Sequence, residues 1–155
     1  MHLSDMYQRP GFLLRRAHQI SAAIFESACT DLGLTQAQYG AMTVLASEPD
    51  IDQSRLARAL AFDKVTVLRV VRGLETRGLV VREVSEASRR QMAVRLTPAG
   101  KRLLKKAEAP VQAAYEQLMA PLDARQRTHF IQLLQSMTDG LNTQARASFV
   151  PLKHG

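Results

Sequence analysis

Apolar residues recur along most of the chain with the spacing of amphipathic helices, interrupted by one stretch of strand-like alternation. From about Gly11 to Ala28, the residues Leu13, Ala17, Ile20, Ile24 and Ala28 share one helical stripe. Leu14, Ser21 and Phe25 widen it, and Arg15, Gln19 and Glu26 fall opposite. "DLGLT" ends that helix, and Thr35 is placed to cap a second one over "QAQYGAMTVLASEP", which Pro49 follows. "DQSRLARALA" predicts a short helix with Asp52 as N-cap and Leu56 and Leu60 facing inward. After a turn at "FD", "KVTVLRVVRGLETRG" predicts a helix buried along Val67, Val70, Val71 and Leu74 and closed by Gly78.

The pattern then changes. "LVVREV" and "MAVRL" predict two short strands joined by the polar, basic "SEASRRQ". "LTPAG" opens another helix, with Thr97 as cap and Pro98 in the first turn, where its missing N–H does no harm. Leu103, Leu104, Ala107 and Val111 carry its apolar positions, and Pro110 inside that run predicts a kink or break. Asp123 and Gln126 have capping-box spacing for a last helix through Phe130, Ile131, Leu133, Leu134, Met137 and Leu141. With no internal repeat or low-complexity tract, 155 residues fit one domain. The order helix, short helix, turn, helix, strand, basic turn, strand predicts a mainly α fold with a small β-hairpin wing, a winged helix-turn-helix.

Charge sharpens that picture. The chain carries a net +7, but Arg55 to Lys106 holds fourteen Lys/Arg against four Asp/Glu, a net of +10, and the remainder is net acidic. A basic excess confined to the middle third points to a polyanion, with a solvated basic surface as the alternative. The predicted helix from Lys64 resolves how arginines and valines coexist there. One face packs on the core, and Lys64, Thr66, Arg69 and Arg72 lie on or beside the free face, where a major-groove helix needs them. Arg72 has a second option in pairing with Glu75, and Leu68 either touches a thymine methyl or fills a small gap.

Other chemistries find little support. Cys29 stands alone, so no internal disulfide forms. His2, His18, His129 and His154 show no paired ligand spacing, and no nucleophile–base set or phosphate loop is present, so no cofactor, metal or enzymatic activity is expected. No apolar run is long enough for a membrane span, and "MHLSDMYQRP" does not read as a secretory signal; a cytoplasmic protein is expected.

"LARALAFDKVTVLRVVRGLETRGLVVREVSEASRRQMAVRLTPAGKRLL" resembles the DNA-binding core of the MarR family of bacterial transcription regulators. The joint pattern of "LA.AL", "TV.R.V..LE.RGLV", a basic wing and "LTPAG" carries the resemblance, and the flanking helices resemble that family's dimerisation arms. It implies a winged helix-turn-helix over about 35–97, with dimerisation helices over about 8–30 and 98–145. It also implies a homodimer on a pseudo-palindromic double-stranded DNA operator, usually as a repressor released by a small ligand. The residues assigned to DNA are Lys64, Val65, Thr66, Leu68, Arg69 and Arg72 on the helix, with Arg89 and Arg90 in the wing. The family's wing often holds an Asp two positions before the wing-tip Arg. Here Ser88 and Arg90 occupy those places, so either Arg90 is less preorganised or Glu86 takes over as the acid, and either Arg89 or Arg90 enters the groove.

"GFLLRRAHQISAAIF" resembles the subgroup that regulates aromatic-acid catabolism. Arg16 and His18 flank its apolar stripe, and a cation beside an apolar wall suits an aromatic carboxylate or its thioester. A dimer-interface role for Arg16 and an ordinary boundary role for His18 are the alternatives. Tyr39 and Met42 join the candidate ligand set by family position. Two rival functions remain at this level: a redox switch through Cys29, and a winged-helix interaction module without ligand response.

Overall fold

The computed structural model describes residues 2–85 and 89–153. A short helix α1 (Leu3–Tyr7) precedes α2 (Pro10–Ala28), followed by α3 (Gln36–Ser47), strand β1 (Ile51–Asp52), α4 (Gln53–Ala59) and α5 (Lys64–Thr76). The hairpin β2 (Val80–Val84) and β3 (Met92–Leu96) leads into the long helices α6 (Pro98–Met119) and α7 (Ala124–Gly140). The sheet is antiparallel in the order β1-β3-β2, with Ile51 opposite Val94 and Val80 opposite Leu96. The two-residue strand β1 has no counterpart in the sequence reading. It is defined by pairing with a partner far along the chain rather than by its own pattern.

The helix starts follow their capping residues. Thr35 and Gln38 form a reciprocal capping box, as do Asp123 and Gln126, while Asp52 accepts from the Arg55 N–H at 2.9 Å. Thr97 does two jobs. Its Oγ1 accepts from the Gly100 N–H and donates to the Gly78 carbonyl at 2.6 Å, tying the start of α6 to the end of α5. Gly100 itself sits against the Leu79 carbonyl, so closely that a Cβ would collide with it. That contact gives "LTPAG" its physical content: the glycine lets α6 seat against the root of the wing.

The core lies where α3, α4, α5 and the sheet converge. Met42, Leu45, Leu56, Val71, Leu74, Val80 and Val94 are among its fully buried side chains. On α5, four apolar positions are buried: Val67, Val70, Val71 and Leu74. Each contributes about 1.5–3 kcal/mol of burial, against a few tenths lost to the poor helix propensity of a valine. Packing therefore decides the helix, not propensity.

One finding departs from the sequence reading: α6 is a single helix through Pro110, so the break allowed for there does not occur. Proline removes one helical hydrogen bond, but the buried Ala107 and Ala114 hold the turns on either side of it. The apolar stripe of α2 is buried only near its C-terminal end, at Phe25, whereas Leu13, Leu14 and Ile20 stand 51%, 42% and 42% exposed. None of the α7 residues is buried in the single chain. Beyond α7 the chain returns to the core: the Val150 N–H donates to the Arg58 carbonyl at 2.9 Å, and Leu152 packs against the hydrophobic cluster.

Candidate DNA interface

Helix α5 buries one face and exposes the other, and both of its ends are capped. Preceding it, α4 closes in a left-handed turn: Ala61 has φ +54°, and the Phe62 N–H reaches back to the Ala57 carbonyl at 2.9 Å. Asp63 then caps α5, its Oδ1 accepting from the Thr66 N–H at 2.7 Å. Hydrogen bonds from Thr66 hold the Asp63 carboxyl below its usual range, with a smaller contribution from the charge of Arg69. At the far end Gly78 adopts φ +69°, and the Leu79 N–H returns to the Leu74 carbonyl at 3.0 Å. In the sequence "FD" reads simply as a turn; the signal for the Asp63 cap is its D-x-x-T spacing.

Along α5 the arginines separate by partner. Arg77 donates to the carbonyls of Gly33 and Leu32, each at 2.8 Å, and so ties the helix end to the loop after α2. Arg82 forms a two-point pair with Glu75, at 3.1 and 3.0 Å. That pair holds the Glu75 carboxyl below its ordinary range, chiefly through the hydrogen bond, with the charges of Arg82 and Arg72 adding to it. Glu75 is thereby occupied, and the alternative pairing of Arg72 with Glu75 does not form. Lys64, Arg69 and Arg72 are all exposed and make no ion pair or hydrogen bond through their side chains among the described residues. Val65 is 76% exposed, and Thr66 and Leu68 are half-buried beside it. The outward face therefore presents three uncommitted cations and a small apolar patch at the helix N-terminal half.

The wing is braced at its base. Arg95 on β3 bridges Asp50, at 3.2 Å, and Glu83 on β2, at 2.9 Å. Arg89 and Arg90 are exposed beyond the strands, beside the turn. The expectation that Glu86 replaces the missing acid at Ser88 lies outside the described residues.

The candidate ligand residues do not form one constellation in the single chain. Arg16 and His18 are exposed on α2, and neither makes a polar side-chain contact among the described residues. Tyr39 is half-buried against Phe25, with ring centroids 5.7 Å apart, and Met42 is wholly inside the core. Cys29 has no exposed surface, and burial pushes its thiol up, which disfavours the thiolate that oxidation requires.

A helix whose inner face is locked into a core and whose outer face carries unpaired cations, beside a basic hairpin, is a DNA-reading arrangement. Comparison with known proteins agrees. A family model described as "MarR family" matches residues 32–91. The HTH-type transcriptional repressor NicR of Pseudomonas putida is 32% identical over 135 residues, covering 87% of this chain and 85% of its own length. The chain belongs to the MarR family. It is thus a winged-helix, DNA-binding transcription regulator. Among solved members, BpsR of Bordetella bronchiseptica, whose DNA binding is regulated by 6-hydroxynicotinic acid, superposes with a TM-score of 0.82 at 29% identity. That match covers 90% of this chain and 97% of BpsR. The family protein Rv2887 of Mycobacterium tuberculosis, solved with DNA, gives a TM-score of 0.66 at 29% identity, over 83% of this chain and 97% of that one. No helix among the described residues is long and apolar enough to cross a membrane.

Proposed function

We propose that the protein is a homodimeric repressor that binds a pseudo-palindromic operator and is released by an aromatic carboxylate or its thioester. The observation that carries the DNA half of this reading is the division of the arginines. Arg77 and Arg82 are spent on the protein, whereas Lys64, Arg69 and Arg72 are left facing outward. Val65, Thr66 and Leu68 complete the base-reading surface, and Arg89 or Arg90 reaches the adjacent minor groove.

Support for the dimer comes from the uncovered apolar surface. Leu13, Leu14, Phe130, Leu133 and Met137 line a groove of about 310 Å³ between α2 and α7. Leu13 and Leu133 stand more than half exposed in the single chain, which a second copy of the same helices would cover. The winged part over about 35–97 would then be carried by helices over about 8–30 and 98–145.

For the effector, BpsR responds to 6-hydroxynicotinic acid and NicR is a related repressor, which favours an aromatic acid. Its polar end is assigned to Arg16 or His18, with Tyr39 and Met42 behind. A ligand shifts the equilibrium only by binding the two conformations unequally; a preference of about 1.4–2.7 kcal/mol weakens operator binding tenfold to a hundredfold. A thermal-shift screen of aromatic acids and thioesters identifies the binder by its stabilisation of the fold. Arg16→Met and His18→Leu, titrated singly with that binder, test the residues. Unchanged affinity in both variants refutes their assignment. Binding that leaves operator affinity unaltered refutes the effector role.

A further inference from the structure

The core face of the wing continues past the point where the core ends. Along β2, Val80, Arg82 and Val84 share one side of the ribbon, and opposite them on β3 stand Leu96, Val94 and Met92. Val80, Val94 and Leu96 are buried. Arg82 closes the core through its two-point pair with Glu75 of α5. One step beyond that pair, the same face carries Val84 and Met92, directly opposite each other and 57% and 37% exposed. The ribbon is still paired there, since the Ser85 N–H donates to the Gln91 carbonyl at 2.8 Å. Two apolar side chains are thus held outward, in register, on a hydrogen-bonded frame.

A single exposed valine needs no explanation, but this pair stands between cations. Arg72 lies one helical turn before Glu75 on the exposed side of α5, and Arg89 and Arg90 come just before Met92 in the chain. The patch is therefore continuous with the DNA interface and lies between its two parts, the outer face of α5 and the turn of the wing. Between a major groove and the adjacent minor groove, a duplex presents its sugar–phosphate ridge. The phosphates call for donors, which the flanking arginines supply and Val84 and Met92 cannot. What remains on the ridge is the apolar side of the deoxyribose. We propose that Val84 and Met92 straddle this ridge, packing on deoxyribose carbons and selecting against a 2′-hydroxyl. A ribose at that point would bury its hydroxyl against two side chains without a strong hydrogen-bond partner to offer, which is unfavourable. The inference rests on the reading that the wing reaches the minor groove beside α5, and adds to it a contact that distinguishes one sugar from another.

The test uses the full chain and an operator duplex that the chain itself selects from a random-sequence pool. Val84→Thr with Met92→Gln keeps the side-chain size and removes the apolar surface, at two exposed positions where a melting curve checks the fold. Operator affinity is expected to fall about tenfold, with its slope against salt unchanged because no cation has been removed. Single ribonucleotides are then scanned through both strands flanking each half-site. With the parent, one sugar position per half-site is expected to weaken binding at least about fivefold; with the doubly substituted chain that penalty disappears. Equal ribonucleotide penalties for both proteins at every position overturn the sugar contact. Unchanged affinity for the all-deoxyribose operator overturns it too, and Arg89→Ala with Arg90→Ala then separates the two readings. If those substitutions still weaken binding, the wing reaches DNA and only the apolar contact falls; if they do not, the wing reading falls with it. Dissociation of the dimer by Val84→Thr and Met92→Gln would assign the pair to a protein contact and likewise overturn the proposal.

Discussion

Arg69 and Arg77 belong to one basic run, and their roles separate only in three dimensions. Arg77 satisfies the carbonyls of Leu32 and Gly33, whereas the Arg69 side chain makes no hydrogen bond or ion pair among the described residues. The two alanine variants should therefore differ in kind. If Arg69 reads the major groove as proposed, Arg69→Ala lowers binding to operator by about 1–3 kcal/mol more than binding to scrambled duplex. Arg77→Ala leaves two carbonyls without their donor, destabilising the fold by about 1 kcal/mol while leaving discrimination between the two DNAs intact. Titrations of both duplexes with melting curves of both variants separate the cases. Equal losses on both DNAs for Arg69→Ala would make it a phosphate anchor. Charge counting could not have drawn this distinction, because the partners of Arg77 lie 44 and 45 positions away.

At the level of elements, local signals were readable wherever the cause was local. Thr35, Asp52, Thr97 and Asp123 cap the helices they precede, and the α5 stripe is buried as its spacing implies. What escaped depends on distant partners: β1 exists only by pairing with β3, and the Glu75–Arg82 pair joins α5 to β2. That pair also sets a pH dependence. The folded Glu75 carboxyl is depressed, so its stabilisation is complete above the ordinary carboxylate range and is lost as pH falls through the folded value. Glu75→Gln should accordingly lower the melting temperature at neutral pH and converge with the parent in acid; a gap that persists unchanged below about pH 3 would contradict this. Gly100 is the other element-scale hinge. Gly100→Ala drives a methyl into the Leu79 carbonyl and should cost about 1–3 kcal/mol, read as a fall in urea midpoint. An unchanged midpoint would mean that α6 can slide on the wing root. The continuity of α6 through Pro110 shows the reverse limit of local reading: a helix breaker is overruled when buried residues anchor both sides.

The whole molecule combines a basic winged core with helices whose apolar faces are left open in the single chain. Leu13, Leu133 and Leu141 are each more than half exposed, and the candidate ligand residues Arg16 and His18 stand on the same helix as Leu13. An effector site completed by assembly would explain why a single sequence, and a single chain, bring those residues together only in part. The net +10 of residues 55–106 doubles in a dimer, and DNA affinity should inherit a strong electrostatic component. The most direct test of the central claim, that paired winged cores grip an operator through their unspent cations, is the salt dependence of dimer binding to an operator duplex. With roughly 6–10 phosphates contacted, affinity should fall by about 10³–10⁵ between about 50 and 200 mM salt, with the half-sites about one helical turn apart. A log–log plot that stays nearly flat on a bound duplex would contradict it.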